Sequence, residues 1–250
     1  MDLIKITINK IINFIFPPCC YSCGENISAK GLCVDCFTKL EFACSSCESC
    51  GIKLAEVYKG QRCLNCINNG SICDGFFHVF NYNEQIFELI KKYKYYDNTN
   101  LAELLGGYLE LELKNILAKH SIDVIIPIPI HFFKLIKRKF NHMAFLAKYL
   151  SKKYKIPYDL FSLKKIKHTK DQMKLKAEMR SKNVKQVFKI NPKNLHKVKD
   201  KHILLIDDVV TTGNTVAECI KVLKKAGAKS VVVLAIARVD GIINTFKTRG

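Results

Sequence analysis

The segment Ile203–Thr215, ILLIDDVVTTGNT, restricts the fold of this chain more than any other. Ile203 to Ile206 is a short continuous apolar run, the pattern of a parallel strand covered on both faces. Asp207 and Asp208 follow at its carboxyl end, where open α/β sheets bind their ligands. Ionised carboxylates only accept hydrogen bonds, so an adjacent pair suits a sugar diol, and it could equally hold Mg2+ through water. Thr211, Thr212, Gly213, Asn214 and Thr215 then supply hydroxyls, backbone amides and one glycine ahead of an apolar periodic segment, Val216 to Leu223. A phosphate there would meet unsatisfied N–H groups at a helix start and the positive end of its dipole. An apolar run ending in acid also occurs in nucleoside triphosphatases. The chain, however, contains neither GxxxxGK[ST] nor GxGxxG, which argues against a triphosphatase or a dinucleotide-binding fold.

Cysteine placement divides the chain. Eleven of its twelve cysteines precede residue 74, and only Cys219 follows. A CxxC pair sets two thiolates on one tight turn, and a second pair completes a tetrahedron around one ion. The pairs are Cys20/Cys23 with Cys33/Cys36 and Cys47/Cys50 with Cys63/Cys66, with Gly24 and Gly51 after the first and third knuckles. Two successive four-cysteine zinc sites are the expectation; a single site or a crossed pairing satisfies the same spacing. Ligand identity alone also admits an iron–sulfur cluster, although repeated CxxC pairs suit zinc better. Disulfides are the competing explanation. The first eighteen residues lack a small-residue cleavage site and carry Lys5 and Lys10 within their apolar stretch, so nothing signals export to an oxidising compartment. Cys19, Cys44 and Cys73 fall outside the pairs and read as core or surface thiols, and Cys219 as a small buried hydrophobe.

Charge is regional too. Residues 131–202 hold 22 Lys or Arg against 4 Asp or Glu, which accounts for 18 of the net +19. Such a field concentrates polyanions, whether phosphorylated small molecules or nucleic acid, while a solvated lysine-rich face is the plainer explanation. Phe132, Phe133, Phe140, Tyr149 and Tyr154 interleave with these cations at a spacing that suits base stacking or an ordinary core.

The organisation expected from these landmarks is an amphipathic helix over 1–18, a cysteine-rich zinc-binding domain over 19–73, and an α/β domain over 74–250. No run reaches eighteen uninterrupted apolar residues, so no membrane span is expected. Strands are predicted at Gly75–Tyr82, Asp123–Pro129, from Ile203 to Ile206, and at Ser230–Ala237. Helices are predicted at Glu84–Lys94, Leu101–Ala118, Asn141–Lys153 and from Val216. The alternation argues for a doubly wound parallel sheet flanked by helices.

The Ile203–Thr215 segment closely resembles the phosphoribosyl pyrophosphate (PRPP) signature of type I phosphoribosyltransferases. That resemblance implies that Asp207 and Asp208 take the ribose hydroxyls and serve as the catalytic acids. It assigns the 5'-phosphate to Thr211, Thr212, Gly213 and Thr215, and implies Mg2+ bound with PRPP. Three further segments resemble the competence-associated ComF (ComFC) proteins: VIIPIPIH at Val124–His131 is similar to VPVPLH, Arg138 to His142 to RGFNQ, and Thr169, Gln172, Leu175, Arg180, Asn183 and Phe188 to a spaced T, Q, L, R, N, F pattern. Lys139 replaces a glycine and His142 a glutamine, so a positive φ at the first becomes costly and the second introduces a titratable group.

Arg138, Asn141 and Arg180 are the candidate pyrophosphate or DNA contacts. The resemblance implies a cytoplasmic protein, at most peripheral to the inner face of the membrane, that handles single-stranded DNA during uptake or utilisation. Its partners would be PRPP or another phosphorylated sugar, single-stranded DNA, and a DNA-uptake helicase or membrane uptake protein. An active nucleobase phosphoribosyltransferase is the alternative, although no general base for a purine or pyrimidine stands out. A purely structural adaptor is the third.

Overall fold

The computed structural model describes residues 17–58, 60–71, 73–95, 99–130, 141–166 and 187–240. The cysteine-rich region carries two short helices, α1 (Val34–Thr38) and α2 (Leu64–Asn69). Strand β1 (Gly75–Asn81) follows, then helices α3 (Glu84–Tyr95) and α4 (Thr99–Lys119), strand β2 (Val124–Pro127) and helix α5 (His142–Tyr154). Strands β3 (Leu163–Lys165) and β4 (Phe188–Ile190) precede β5 (His202–Val210), helix α6 (Asn214–Lys225) and β6 (Ser230–Arg238).

Four strands form one parallel sheet in the order β1-β6-β5-β2. Its two central strands read HILLIDDVV and SVVVLAIAR, near-continuous apolar runs because both faces are covered. Leu204, Ile206, Val232, Leu234 and Ile236 face the layer of α3, α4 and α5. Ile203, Leu205, Val231, Val233 and Ala235 face α6 and the β3–β4 ribbon. Helix α3 buries Ile86, Leu89, Ile90 and Tyr93, and α6 buries Val216, Cys219, Ile220 and Leu223, each a stripe at helical spacing. Truncating one of the fully buried leucines, such as Leu205, to alanine would cost about 3 kcal/mol.

Two local differences from the sequence expectation have clear causes. Strand β5 does not end at Ile206; it continues to Val210, because β6 is equally long and pairs with it as far as Val210 and Arg238. Both acids therefore sit within the strand. The antiparallel β3–β4 ribbon was not anticipated, because three-residue strands give too short an alternation to be read.

The cysteine-rich region packs on the free edge of β1. Asn81 N–H donates to the Glu41 carbonyl at 2.8 Å and Ala43 N–H to the Val79 carbonyl at 2.8 Å, with Phe42 opposite Phe80 in antiparallel register. This segment covers a strand edge that would otherwise offer unpaired amides.

Candidate phosphosugar site and cysteine tetrads

Strand β5 delivers Asp207 and Asp208 and then turns directly into the α6 N-terminus. The turn needs Gly213, whose φ of 76° lies in the left-handed region. The first intrahelical bond runs from Ala217 N–H to the Gly213 carbonyl at 2.8 Å, so the amides ahead of it have no acceptor within the helix. Two polar atoms at this turn, Thr212 Oγ1 and Asn214 Nδ2, are buried with no hydrogen-bond partner among the described residues, and Thr212 is only 2% exposed. A buried polar atom left unpaired is costly, so a cradle holding two of them suits a ligand with acceptor oxygens, to which the amide nitrogen and the hydroxyl can both donate.

The two acids have opposite electrostatics. Asp208 Oδ2 lies 2.6 Å from Lys94 Nζ on α3 and 2.7 Å from His142 Nε2 on α5. Burial pushes this carboxyl up, but Lys94 and His142 outweigh it and hold Asp208 far below the ordinary carboxylate range. Among the described residues, Asp207 has no cation within ion-pair distance. Burial and the neighbouring Asp208 charge push it up to about 8, against the Asp208 N–H bond to its Oδ1 at 2.9 Å and the fields of Lys94 and Lys165. Asp207 is thus the member of the pair that holds a proton more readily, and Asp208 the member that holds the charge. His142 is 1% exposed, and its backbone carbonyl accepts from the Tyr93 hydroxyl, so its ring is positioned by α3 as well as by α5.

Each cysteine tetrad is brought together as the spacing suggested. All ligand atoms of Cys20, Cys23, Cys33 and Cys36, and likewise of Cys47, Cys50, Cys63 and Cys66, lie within 4.8 Å of one another. The Cys23–Cys33 and Cys50–Cys63 sulfurs are each 3.7 Å apart. A tetrahedron with Zn–S of about 2.3 Å has an edge of about 3.8 Å, so both donor sets fit zinc.

The two modules repeat one design. Cys20 and Cys47 accept the Cys33 and Cys63 amides at 3.3 and 3.2 Å, and Gly24 and Gly51 turn each knuckle with φ of 84° and 69°. Burial raises the Cys20 thiol, yet the amides of Cys23, Cys33 and Ser22 bring it down to about 6. The Cys50 and Cys66 thiols hold Cys47 well below the thiol range. The Cys36 amide lowers the Cys33 thiol, but burial and the neighbouring sulfurs push it up to about 12. Neighbouring sulfurs and burial push Cys50 up to about 12 and raise Cys66 as well, so each set favours one thiolate and a metal must displace the remaining protons.

Among the remaining predicted residues, Asn141 caps α5, its Oδ1 accepting from Met143 N–H at 3.1 Å. Thr211 and Thr215 lie on the turn and first helical residues. Tyr149 and Tyr154 pack against the core, with the Tyr149 hydroxyl donating to Glu110 at 2.7 Å. Arg138, Arg180, the other aromatics at Phe132, Phe133 and Phe140, the Thr169 to Asn183 pattern, and residues 1–16 of the expected helix fall outside the described residues.

Sequence reasoning missed Lys94, Lys165 and Arg238. Arg238 closes β6 at 3% exposure and donates to the carbonyls of Cys50, Val210, Thr211 and Val239. Its one sequence signal is a lone cation ending a run of seven apolar residues.

A parallel sheet with paired acids and a phosphate-type turn on its central strand defines a class, and the family model for the phosphoribosyl transferase domain matches residues 94–241. Competence protein F of Haemophilus influenzae is 30% identical over 88% of this chain and 96% of its own length. The DNA utilization protein YhgH of Salmonella typhimurium is 26% identical over 89% of this chain and 97% of its own. Among solved structures, the glutamine PRPP amidotransferase of Bacillus subtilis aligns at 20% identity and a TM-score of 0.38, over 58% of this chain and 30% of that one. The chain belongs to the competence protein F family of phosphoribosyl transferase-domain proteins.

Proposed function

We propose that this chain handles single-stranded DNA during its uptake or utilisation, in the cytoplasm and at most peripheral to the inner face of the membrane, and that its β5–α6 site holds Mg2+-PRPP or another phosphorylated sugar. The observation that carries the site reading is the pair of unpartnered buried atoms, Thr212 Oγ1 and Asn214 Nδ2, beside the acidic pair. In this reading Asp207 and Asp208 take the ribose hydroxyls or hold Mg2+ through water, and Thr211, Thr212, Gly213 and Thr215 take the 5'-phosphate. The two tetrads take one zinc each, as a cysteine-rich domain over 19–73 ahead of the phosphoribosyl transferase-like domain.

Two relatives whose names concern competence and DNA utilization match over nearly all of this chain, which supports the DNA role. So does the field of 22 basic against 4 acidic residues over 131–202. No helix among the described residues is long and apolar enough to cross a membrane. The partners in this reading are an uptake helicase or membrane uptake protein.

Retention of a single-stranded oligonucleotide across a salt series tests the role. Neutralising about five phosphates on a single strand gives a slope of log affinity against log salt near −3.5. Reversing Lys134, Lys137, Arg138 and Lys139 to glutamate should flatten it. Salt-independent retention would contradict the proposal. Pyrophosphate released from PRPP only when a nucleobase is supplied would instead favour transfer chemistry.

A further inference from the structure

Arg238 joins two parts of the molecule that the sequence keeps far apart. Its Nε donates to the carbonyl of Cys50, a member of the second tetrad, at 3.1 Å. Its Nη1 donates to the Val210 carbonyl at 3.1 Å, to the Thr211 carbonyl and to the Val239 carbonyl at 3.0 Å. Val210 and Thr211 are the last strand residue and the first turn residue of the candidate phosphate cradle. The sheet register sets this geometry, because Arg238 on β6 lies directly opposite Val210 on β5.

The second cysteine module also contacts the amino-terminal end of strand β1. Phe76 N–H donates to the Glu48 carbonyl at 2.8 Å, and the Cys73 thiol to the Ser49 carbonyl at 3.2 Å. A Cβ at Gly51 would lie 2.3 Å from the Phe76 ring, so knuckle and strand are in close contact. The first module takes a different route: the Ser22 hydroxyl accepts from Gln85 at 2.7 Å and the Ser22 carbonyl from Lys92, both on α3. Among the described residues, the second module and not the first is bonded through one side chain to the cradle.

We infer that Arg238 is a positioning residue that makes the conformation of the phosphate cradle depend on metal in the second tetrad and not in the first. Metal fixes the knuckle that carries Cys50. The knuckle carbonyl holds one edge of the guanidinium, and the other edge holds the Val210 and Thr211 carbonyls, which orients Thr212 and Gly213. Four thiolates around one Zn2+ leave a doubly negative centre, which favours a buried cation beside it. Arginine alone has the planar fork that can serve carbonyls on both sides; lysine keeps the charge and loses the span.

Backbone hydrogen exchange on the full zinc-loaded chain tests this, comparing the wild type with Arg238→Lys, Cys66→Ser and Cys36→Ser. Amides of residues 231–236 in β6 report whether the fold is intact. Arg238→Lys should keep both metals and protected 231–236 amides, yet speed exchange at residues 211–214 by about tenfold. Cys66→Ser, which loses the metal of the second tetrad, should keep the 231–236 amides protected and speed exchange at 211–214 likewise, whereas Cys36→Ser, which loses the metal of the first, should leave 211–214 as in the wild type. Wild-type exchange at 211–214 in Arg238→Lys, or equal acceleration by the two cysteine variants, would overturn the inference. The ligand side rests on the phosphosugar reading and is read separately by adding Mg2+-PRPP. If PRPP fails to protect 211–214 in the wild type while Arg238→Lys still accelerates them, the ligand assignment falls and the tether stands.

Discussion

Lys94 Nζ stands 2.6 Å from Asp208 Oδ2, with side-chain exposures of 21% and 15%, so the cation of α3 neutralises one carboxylate of the β5 pair out of bulk water. The exposed Lys91–Glu88 pair on the same helix is a different case, because solvent screens it and such pairs contribute little.

Lys94→Met should therefore lower stability by about 2 kcal/mol at pH 7, the scale of losing a hydrogen bond to a charged group. The sign with pH follows from the depressed Asp208 carboxyl: its stabilisation is present above the ordinary carboxylate range and is lost as pH falls through the folded value. The gap between Lys94→Met and wild type should then shrink in acid. Urea denaturation at pH 7 and pH 3 checks this.

Asp207 behaves oppositely. Its folded value of about 8 lies above that of an unfolded aspartate, so ionising it costs the native state nothing below about pH 4 and progressively more up to about pH 8. Asp207→Asn should gain melting temperature relative to wild type as pH rises from 5 to 9. Mg2+ would favour the ionised form of Asp207, so affinity for Mg2+-PRPP should strengthen over the same range. A flat melting-temperature difference would mean that Asp207 is already ionised at neutral pH.

Gly213 holds φ at 76° at the turn into α6. Gly213→Ala should cost about 1 kcal/mol through the left-handed backbone and weaken PRPP binding more than it weakens the fold, since the amides of the cradle move with it. Thermal melts beside ligand titration separate the two effects.

Zinc analysis should give two ions per chain, falling by one in Cys36→Ser and by one in Cys66→Ser. Cys19, Cys44 and Cys73 lie outside both tetrads, and replacing any of them should leave the metal content unchanged. One ion in the wild type would exclude two independent sites.

The local parts of this architecture were legible in the sequence because their physics is local. An apolar run ending in two acids and a Thr/Gly turn specifies strand, turn and helix start within thirteen residues, Ile203 to Thr215. The CxxC spacing likewise gave the two tetrads. Lys94 and Arg238 were not legible, because their partners Asp208, Cys50 and Thr211 reach them only through sheet register and helix docking. His142 was visible as a titratable substitution, but its ion pair with Asp208 depends on α5 packing beside β5. Asn141 drew notice for its place in a resemblance, and the structure gives its side chain the work of a helix cap.

The most direct test of the account is calorimetric titration of the zinc-loaded protein with PRPP and Mg2+, beside the Asp207→Asn/Asp208→Asn double variant. The account predicts saturable binding in the wild type and its loss in the folded variant. No heat of binding from folded wild-type protein, or equal binding by the variant, would contradict a phosphosugar site on β5.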